Sequence, residues 1–280
     1  MTVQEQPSPP MERRRRRYPS DVTNREWEII APLLAQPPGP GRKRTVDLRA
    51  IVNAIFYLNR TGIQWRFLPH DFPGWSHVYY YFRKWSRDGT WRRVNDTLRE
   101  KVRRSVGKKA DPSAAIIDSQ SVKTTEAGGP SGIDAHKKVK GRKRHIVVDT
   151  LGLLLIVVVH VASLQDPAGA KLVLTPLIDR FPRLKLIWAD GIYQGSLVDW
   201  VQDKLKCVLE IVRRPEGQRG FQVLPKRWIV ERTFGWFNRY RRLSKDYEQD
   251  PRMSEGMVYL AAIRLMLRRL DRQKRRASAT

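Results

Sequence analysis

The chain has 280 residues, enough for a full hydrophobic core and a second, smaller unit. Its 54 Lys and Arg against 28 Asp and Glu leave a net charge of +26, while 41% hydrophobic residues and nine Trp exclude a disordered polycation. That excess names a polyanionic partner but no reaction, and a single cysteine, Cys207, read as a buried apolar residue, excludes a disulfide framework and a thiolate zinc site.

Residues 1–17, rich in Pro and Arg, are expected to form a disordered basic tail. No apolar segment follows residues 13–17 as in a signal peptide. The longest apolar run, 151–162, is shorter than the ~20 residues a bilayer requires, so a cytoplasmic protein without a membrane partner is expected. A capping box, Thr23-Asn24-Arg25-Glu26, predicts a helix with Trp27, Ile30 and Leu34 inward, shortened or kinked by Pro32. Residues 35–45 read as a linker. A second helix puts Ile51, Ala54, Ile55 and Leu58 on one face and stops at Gly62. A third opens with Ser76 as N-cap and ends at Asp88-Gly89. Val78, Tyr81, Phe82 and Trp85 form its inner face; Tyr79, Tyr80, Arg83, Lys84 and Arg87 project outward. A fourth, after Thr90, turns Trp91, Val94, Leu98 and Val102 inward. Residues 18–110 thus read as a small all-α, helix-turn-helix-like DNA-binding domain, with Tyr80, Arg83, Lys84 and Arg87 as DNA contacts.

From Ala114 the period changes. "AAIID" is an unbroken apolar run ending in Asp118, the pattern of a buried strand. Residues 126–144 read as a Gly-rich basic loop holding Lys137, Lys138, Lys140, Arg142, Lys143 and Arg144. The apolar runs 145–148 and 153–162 flank a turn and predict a hairpin. Asp166-Pro167 opens a helix, Asp as N-cap and Pro at the first position. "LKLIWAD" is a second buried strand, ending in Asp190; a helix with Leu197, Val198, Val201 and Leu205 leads to a fifth strand, "CVLEIV". From Trp228 a helix carries Glu231, anchored by Trp228, Phe234 and Trp236 or Phe237. A last apolar helix, 257–270, is expected to pack on this unit, which spans 111–280. The order predicts an α/β fold with a mixed five-stranded sheet flanked by helices.

Open α/β sheets bind ligands beyond the C-terminal ends of their strands, where Asp118 and Asp190 are expected to sit. A carboxylate there needs a partner or a cation. Two side by side repel until protonation, a basic neighbour or a divalent metal relieves them. Oxygen donors without a Cys or His cluster point to Mg²⁺ or Mn²⁺. Glu231 stands among Arg227, Arg232, Arg239, Arg241 and Arg242, where pairing with an arginine or complementing a helix N-terminus would also explain it. Asp149, Asp166 and Asp134 have structural readings in a turn, a cap and a loop. His145 and His160 read as core or hydrogen-bonded histidines.

The strings "AIIDSQSVKTTEAGGP", "KKVKGRKRHIVVDTLGLLL", "LIWADGIYQG" and "VERTFGWFNRYRRLSKDYE", with "YPSDVTNREWEIIAPLL" at the start, strongly resemble the DDE transposases of bacterial insertion sequences. The likeness is to their IS-five group, related to the IS-four superfamily, and covers nearly the whole chain. It implies an RNase H-like core with catalytic, metal-binding acids on the first strand, the fourth strand and a later helix, here Asp118, Asp190 and Glu231. It further implies two Mg²⁺ or Mn²⁺ ions per site, cleavage and transfer of DNA strands, and double-stranded DNA partners, the terminal inverted repeats and a target. Two element ends must be brought together, so a homodimer on DNA is expected. The family's second Gly after Asp-Gly is here Ile192. Of a Tyr-Arg-Glu-Lys signature seen in a related group, Arg227 fits the Arg, Leu224 replaces the Tyr, and Arg239 lies one residue past the Lys. Arg227, Arg239, Lys123, Lys138, Lys140 and Arg142 are therefore expected DNA contacts. With 40 residues between Asp190 and Glu231, no large insertion is expected there. A nuclease that cuts without joining, a non-catalytic DNA-binding relative and an RNA binder are the competing readings.

Overall fold

The structure, a computed structural model, describes residues 15–34, 46–177, 179–212 and 226–277. The expected linker at 35–45, Leu224 and most of the basic tail lie outside the described residues. Helix α1, Asn24–Leu34, starts as its capping box requires: Glu26 N–H donates to Thr23 Oγ1 at 3.1 Å, and Thr23 N–H donates to Glu26 Oε2 at 2.8 Å. Helix α2, Leu48–Thr61, is capped by Asp47 and ends where Gly62 takes φ 77°, a turn closed by its N–H to the Leu58 carbonyl. Helix α3, Trp75–Arg87, begins one residue before the expected cap: Gly74 is the N-cap, and Ser76 lies inside the helix. Tyr79 is not outward-facing; its ring packs edge-on to Trp65 at 5.0 Å. Helix α4, Thr90–Ser105, buries Trp91, Val94, Leu98 and Val102, and Trp91 meets Trp85 of α3 edge-to-face at 5.0 Å.

Among the described residues the sheet has six strands, not five: β1 (Ala114–Lys123), β2 (Gly132–Asp134), β3 (Val139–Asp149), β4 (Leu154–Val161), β5 (Leu186–Ala189) and β6 (Val208–Ile211). Its order is β4-β3-β1-β5-β6, with the extra strand β2 continuing the line of β4 along the outer edge of β3. β1 is antiparallel to β3 and parallel to β5, the mixed pattern of an RNase H-like fold. About half of the expected basic loop is strand, because residues 139–144 extend β3, with 139–141 paired to β2 and 141–144 paired to β1. The last helix is longer than its apolar pattern, Pro251–Ala277.

Strand alternation gives the sheet two covered faces. One carries Ile116, Ile146 and Val148, which join a core continuous with α1 to α4, helix α7 (Trp228–Phe237) and the last helix, α8. The other carries Ala115, Ile117 and Val147, packed with helix α5 (Asp166–Leu174) and helix α6 (Ser196–Leu205). α8 was expected to pack on the sheet unit. It does meet β4, but it also lies across α4, α3, α1 and α2, so the helical layer and the sheet share one core. At ~1.5–3 kcal/mol for each large apolar side chain buried, that shared core is the main source of stability.

Candidate active site

β1 and β5 run side by side only from Ala114 to Ile116, with Ile116 opposite Trp188. Beyond that pair they part, and a crevice of about 360 Å³ opens, lined by Asp118, Ser119, His136, Lys137, Asp166, Asp190 and Ile192. Asp190 follows β5 directly, as expected. Asp118 does not end its strand. It sits in the middle of β1, opposite Ile146, because β3 carries the ladder on to Lys123. What ends just before Asp118, at Ile116, is the pairing with β5, which is enough to put both carboxylates at one strand-end crevice.

The third acid arrives from α7, on the same sheet face as Asp118. Arg227 joins the acids: its guanidinium donates to Glu231 Oε1 at 2.6 Å and lies 3.5 Å from Asp190 Oδ2. Burial works against its charge, yet the Glu231 bond and the charges of Asp118 and Asp190 raise its pKa above the ordinary arginine value. Burial also pushes the Asp118 carboxyl up to about 7; a bond from the Ser119 N–H at 2.7 Å opposes this, and Asp190 adds to it. The aspartate pair is thus an under-compensated charge with hard oxygen donors, which fits a divalent cation. Among the described residues no three Asp, Glu, His or Cys side chains stand close enough to hold a metal together, since Glu231 is turned to Arg227.

Polar groups behind the crevice hold its walls. Ser119 Oγ donates to Asp166 Oδ1 at 2.5 Å, and Lys143 Nζ donates to Asp166 Oδ2 at 3.1 Å. Asp166 is therefore not the N-cap of α5, a place taken by Gln165, and it braces the crevice from the face opposite Glu231. Asp134, expected in a flexible loop, is buried and accepts from Ser121 Oγ and from the N–H groups of His136 and Lys137. His145 and His160 are core residues as read, and they form a chain. The His160 Nδ1 bond to the Val161 carbonyl makes that nitrogen the donor. Neutral rings then require His145 Nδ1 to donate to His160 Nε2 at 2.8 Å and Tyr193 Oη to donate to His145 Nε2 at 2.9 Å. Burial and the neighbouring His160 lower the His145 pKa, which keeps the ring neutral. Tyr193 is fully buried three residues after Asp190, so this chain anchors the Asp190 turn.

Ile192 lines the crevice without backbone strain. It has no positive φ, its N–H donates to Asp190 Oδ1 at 3.1 Å, and an added Cβ at Gly191 would meet nothing within 4 Å. The turn does not need the family's second glycine.

The family model of the transposase DDE domain matches residues 109–266, and that of a putative transposase of the IS4/5 family matches residues 22–95. The chain belongs to the DDE transposases. Domains of this family act on DNA and generally use divalent metal ions. The transposase is 34% identical over 113 residues to an uncharacterized 16.2 kDa protein of insertion element IS402 from Burkholderia cepacia, covering 38% of this chain and 75% of the relative. It is 27% identical over 137 residues to a putative transposase for insertion sequence element IS402 from the same organism, covering 43% of this chain and 59% of that protein. No solved structure matches. No helix among the described residues of the transposase is long and apolar enough to cross a membrane.

Apart from Arg227, which is held by Glu231 and Asp190, the expected DNA contacts separate into three groups. Tyr80, at 58% exposure, and Arg83 and Arg87 lie on the open face of α3, with Lys84 half-buried beside them. Lys123, Lys138, Lys140 and Arg239 are exposed. Arg142 is a correction: it is wholly buried, its guanidinium donating to the carbonyls of Pro130, Glu248 and Gln249, and it has no surface to offer DNA. Trp228 is a second correction, since it is partly exposed under the Arg232 guanidinium, and Phe234 and Phe237 anchor α7 instead. Ser119, His136, Lys137 and Asp166 are crevice residues that sequence reasoning left out of the site.

Proposed function

We propose that the transposase cuts and joins DNA strands at the ends of its element, with Asp118, Asp190 and Glu231 as the catalytic acids. The observation that carries this reading is the place of Arg227 near the crevice where β1 and β5 part: it bonds Glu231, lies 3.5 Å from Asp190 and is acted on by the charge of Asp118. Asp118 and Asp190 would hold Mg²⁺ or Mn²⁺, and Glu231 would complete the set for two ions on exchanging Arg227 for metal. Bound there, the ions would activate a water or a 3′-hydroxyl and offset charge on the leaving oxygen. The protein itself orients the two aspartates: Ser119 N–H fixes one Asp118 oxygen, Ile192 N–H fixes one Asp190 oxygen, and the Tyr193–His145–His160 chain holds the turn that carries Asp190. Water and the 3′-hydroxyl attack phosphorus in the same in-line way, so one site serves both cleavage and strand transfer. The outer face of α3, on a helical domain spanning 18–110, would read double-stranded terminal repeats, and a homodimer would bring two ends together. The sheet unit, 111–280, would carry the chemistry, in the cytoplasm and on the nucleoid.

The test is a supercoiled plasmid carrying the element with its own ends, incubated with the protein and Mg²⁺ or Mn²⁺. Cleaved and joined products are expected from the natural protein. Asp118→Asn and Glu231→Gln should each lose about 10³-fold or more in rate while still folding and binding DNA. Undiminished cleavage by Asp118→Asn would overturn the assignment, and cutting without any joined product would make the protein a nuclease on this fold.

A further inference from the structure

The three acids and a scissile phosphate are all anionic, so a site of this kind needs a fixed cation that is not consumed in holding the acids. Arg227 is engaged by Glu231 and Asp190. On the opposite wall stands Lys137. Its position is built by the chain: the buried Asp134 carboxylate accepts from the N–H groups of His136 and Lys137 at 3.1 and 3.0 Å, which fixes the tight turn between β2 and β3. Lys138, next in the turn, takes φ 53° to bring the chain back into β3. The turn aims the Lys137 ammonium at β1, where it donates to the Ser119 carbonyl at 3.1 Å, beyond the last residue of β1 that pairs with β5. It lines the crevice with Asp118 and Asp190, and its charge acts on the Asp118 carboxyl. An ammonium has three donors; the Ser119 carbonyl takes one and the Ser119 hydroxyl, at 3.4 Å, a second, which leaves one for a phosphate oxygen.

We propose that Lys137 is a catalytic residue that donates to a non-bridging oxygen of the phosphate under attack. The proposal rests on the acid assignment above and adds to it the group that neutralises the phosphoryl oxygens. In the step, the attacking oxygen gives up its proton and bonds to phosphorus, the P–O3′ bond breaks, and the departing 3′ oxygen takes up a proton. Lys137 exchanges no proton; it stabilises the charge that gathers on the non-bridging oxygens. Its neighbours Lys138, in the turn, and Lys140, in β3, are exposed but do not line the crevice, which distinguishes a catalytic lysine from two that touch DNA backbone at most.

Nicking of supercoiled plasmid DNA in Mn²⁺ tests this without knowledge of the recognised sequence. Lys137→Ala should lower kcat about 100-fold with KM for the plasmid changed less than about threefold, the effect of removing one donor to a developing oxyanion. Mn²⁺ affinity by calorimetry should stay within about twofold, because Lys137 holds no metal, and Lys137→Arg should restore most of the rate. Lys204→Ala, at an exposed lysine of α6 outside the crevice, should nick at the natural rate. If Lys137→Ala nicks as fast as the natural protein while Asp118→Asn does not, the Lys137 proposal fails and the acid assignment stands. If Asp118→Asn also nicks normally, the acid assignment itself fails. Joint loss of rate, Mn²⁺ binding and melting temperature in Lys137→Ala, with no rescue by Lys137→Arg, would show that Lys137 only braces β1 and would also overturn the proposal.

Discussion

β3 and α3 each carry a run of cations, Arg142-Lys143-Arg144 in one and Arg83, Lys84 and Arg87 in the other, and the fold treats them in opposite ways. On α3 the period of 3.6 gathers charge on the face away from the core, where water solvates it. On β3 the period of two sends alternate residues to opposite faces, and both faces are covered. Arg142 and Arg144 therefore turn toward residues 243–249, Arg144 donating to the carbonyls of Leu243 and Lys245, while Lys143 turns to Asp166 and the Leu164 carbonyl. Burial lowers the Arg144 guanidinium to about 10, with Asp246 opposing. The same residue types thus serve as internal clamps in one element and as candidate phosphate contacts in the other, and the coverage of the element decides which.

The largest expected effect falls on the clamps. Arg142→Ala leaves the Asp246 carboxylate and three carbonyls without their partner, and should lower stability by ~3–5 kcal/mol in calorimetric melting. Lys140→Ala, two residues away on the same strand but exposed, should change it by less than about 0.5 kcal/mol. Equal melting of the two variants would break the comparison.

A smaller effect comes from a half-buried acid that accepts a hydrogen bond from a backbone group. Glu255 of α8 accepts from Val159 N–H at 3.0 Å, and burial pushes its pKa from 4.5 up to about 7, with the Val159 bond opposing and Asp250 adding. The folded state keeps this proton to higher pH than the unfolded chain. Stability is therefore undiminished below pH 4.5, falls between about 4.5 and 7, and stays reduced above, by at most ~3 kcal/mol. Glu255→Gln should flatten that decline and melt higher than the natural protein at pH 8. A variant that retained the slope would assign it to other groups.

The smallest stability effect belongs to α3. Arg83→Ala should leave melting within about 0.5 kcal/mol, yet reduce the slope of log affinity for DNA against log salt by about 1 if Arg83 meets a phosphate. An unchanged slope would remove α3 from the proposed DNA interface.

Local and periodic features were legible in the sequence. The capping box, the Gly62 stop, the inner faces of α3 and α4 and the strands before Asp118 and Asp190 all rest on neighbours within a few residues. What escaped depends on distant partners. Arg142 finds Asp246 and the carbonyls of Glu248 and Gln249 about a hundred positions on, so its run read as a loop. Asp166 reads as a cap until β1 and β3 bring Ser119 and Lys143 to it. Asp118 was expected at a strand end because its apolar run stops there, whereas hydrogen bonding to β3 continues through polar residues. Lys137 gave no signal apart from its neighbours, since only the Asp134 turn sets its direction.

Glu26, in the first turn of α1, accepts from Arg264 of α8, 238 positions later. The apolar faces of the first four helices close against that same last helix. During synthesis, the first four helices leave the ribosome long before the segment that covers them, and their inner surfaces stay open until residues 251–270 have been translated. The helical layer thus matures together with the crevice that holds the acids. A chain broken off before residue 251 lacks the cover, and its exposed apolar faces mark it for aggregation or proteolysis before it can become a DNA-binding fragment that competes with the finished protein.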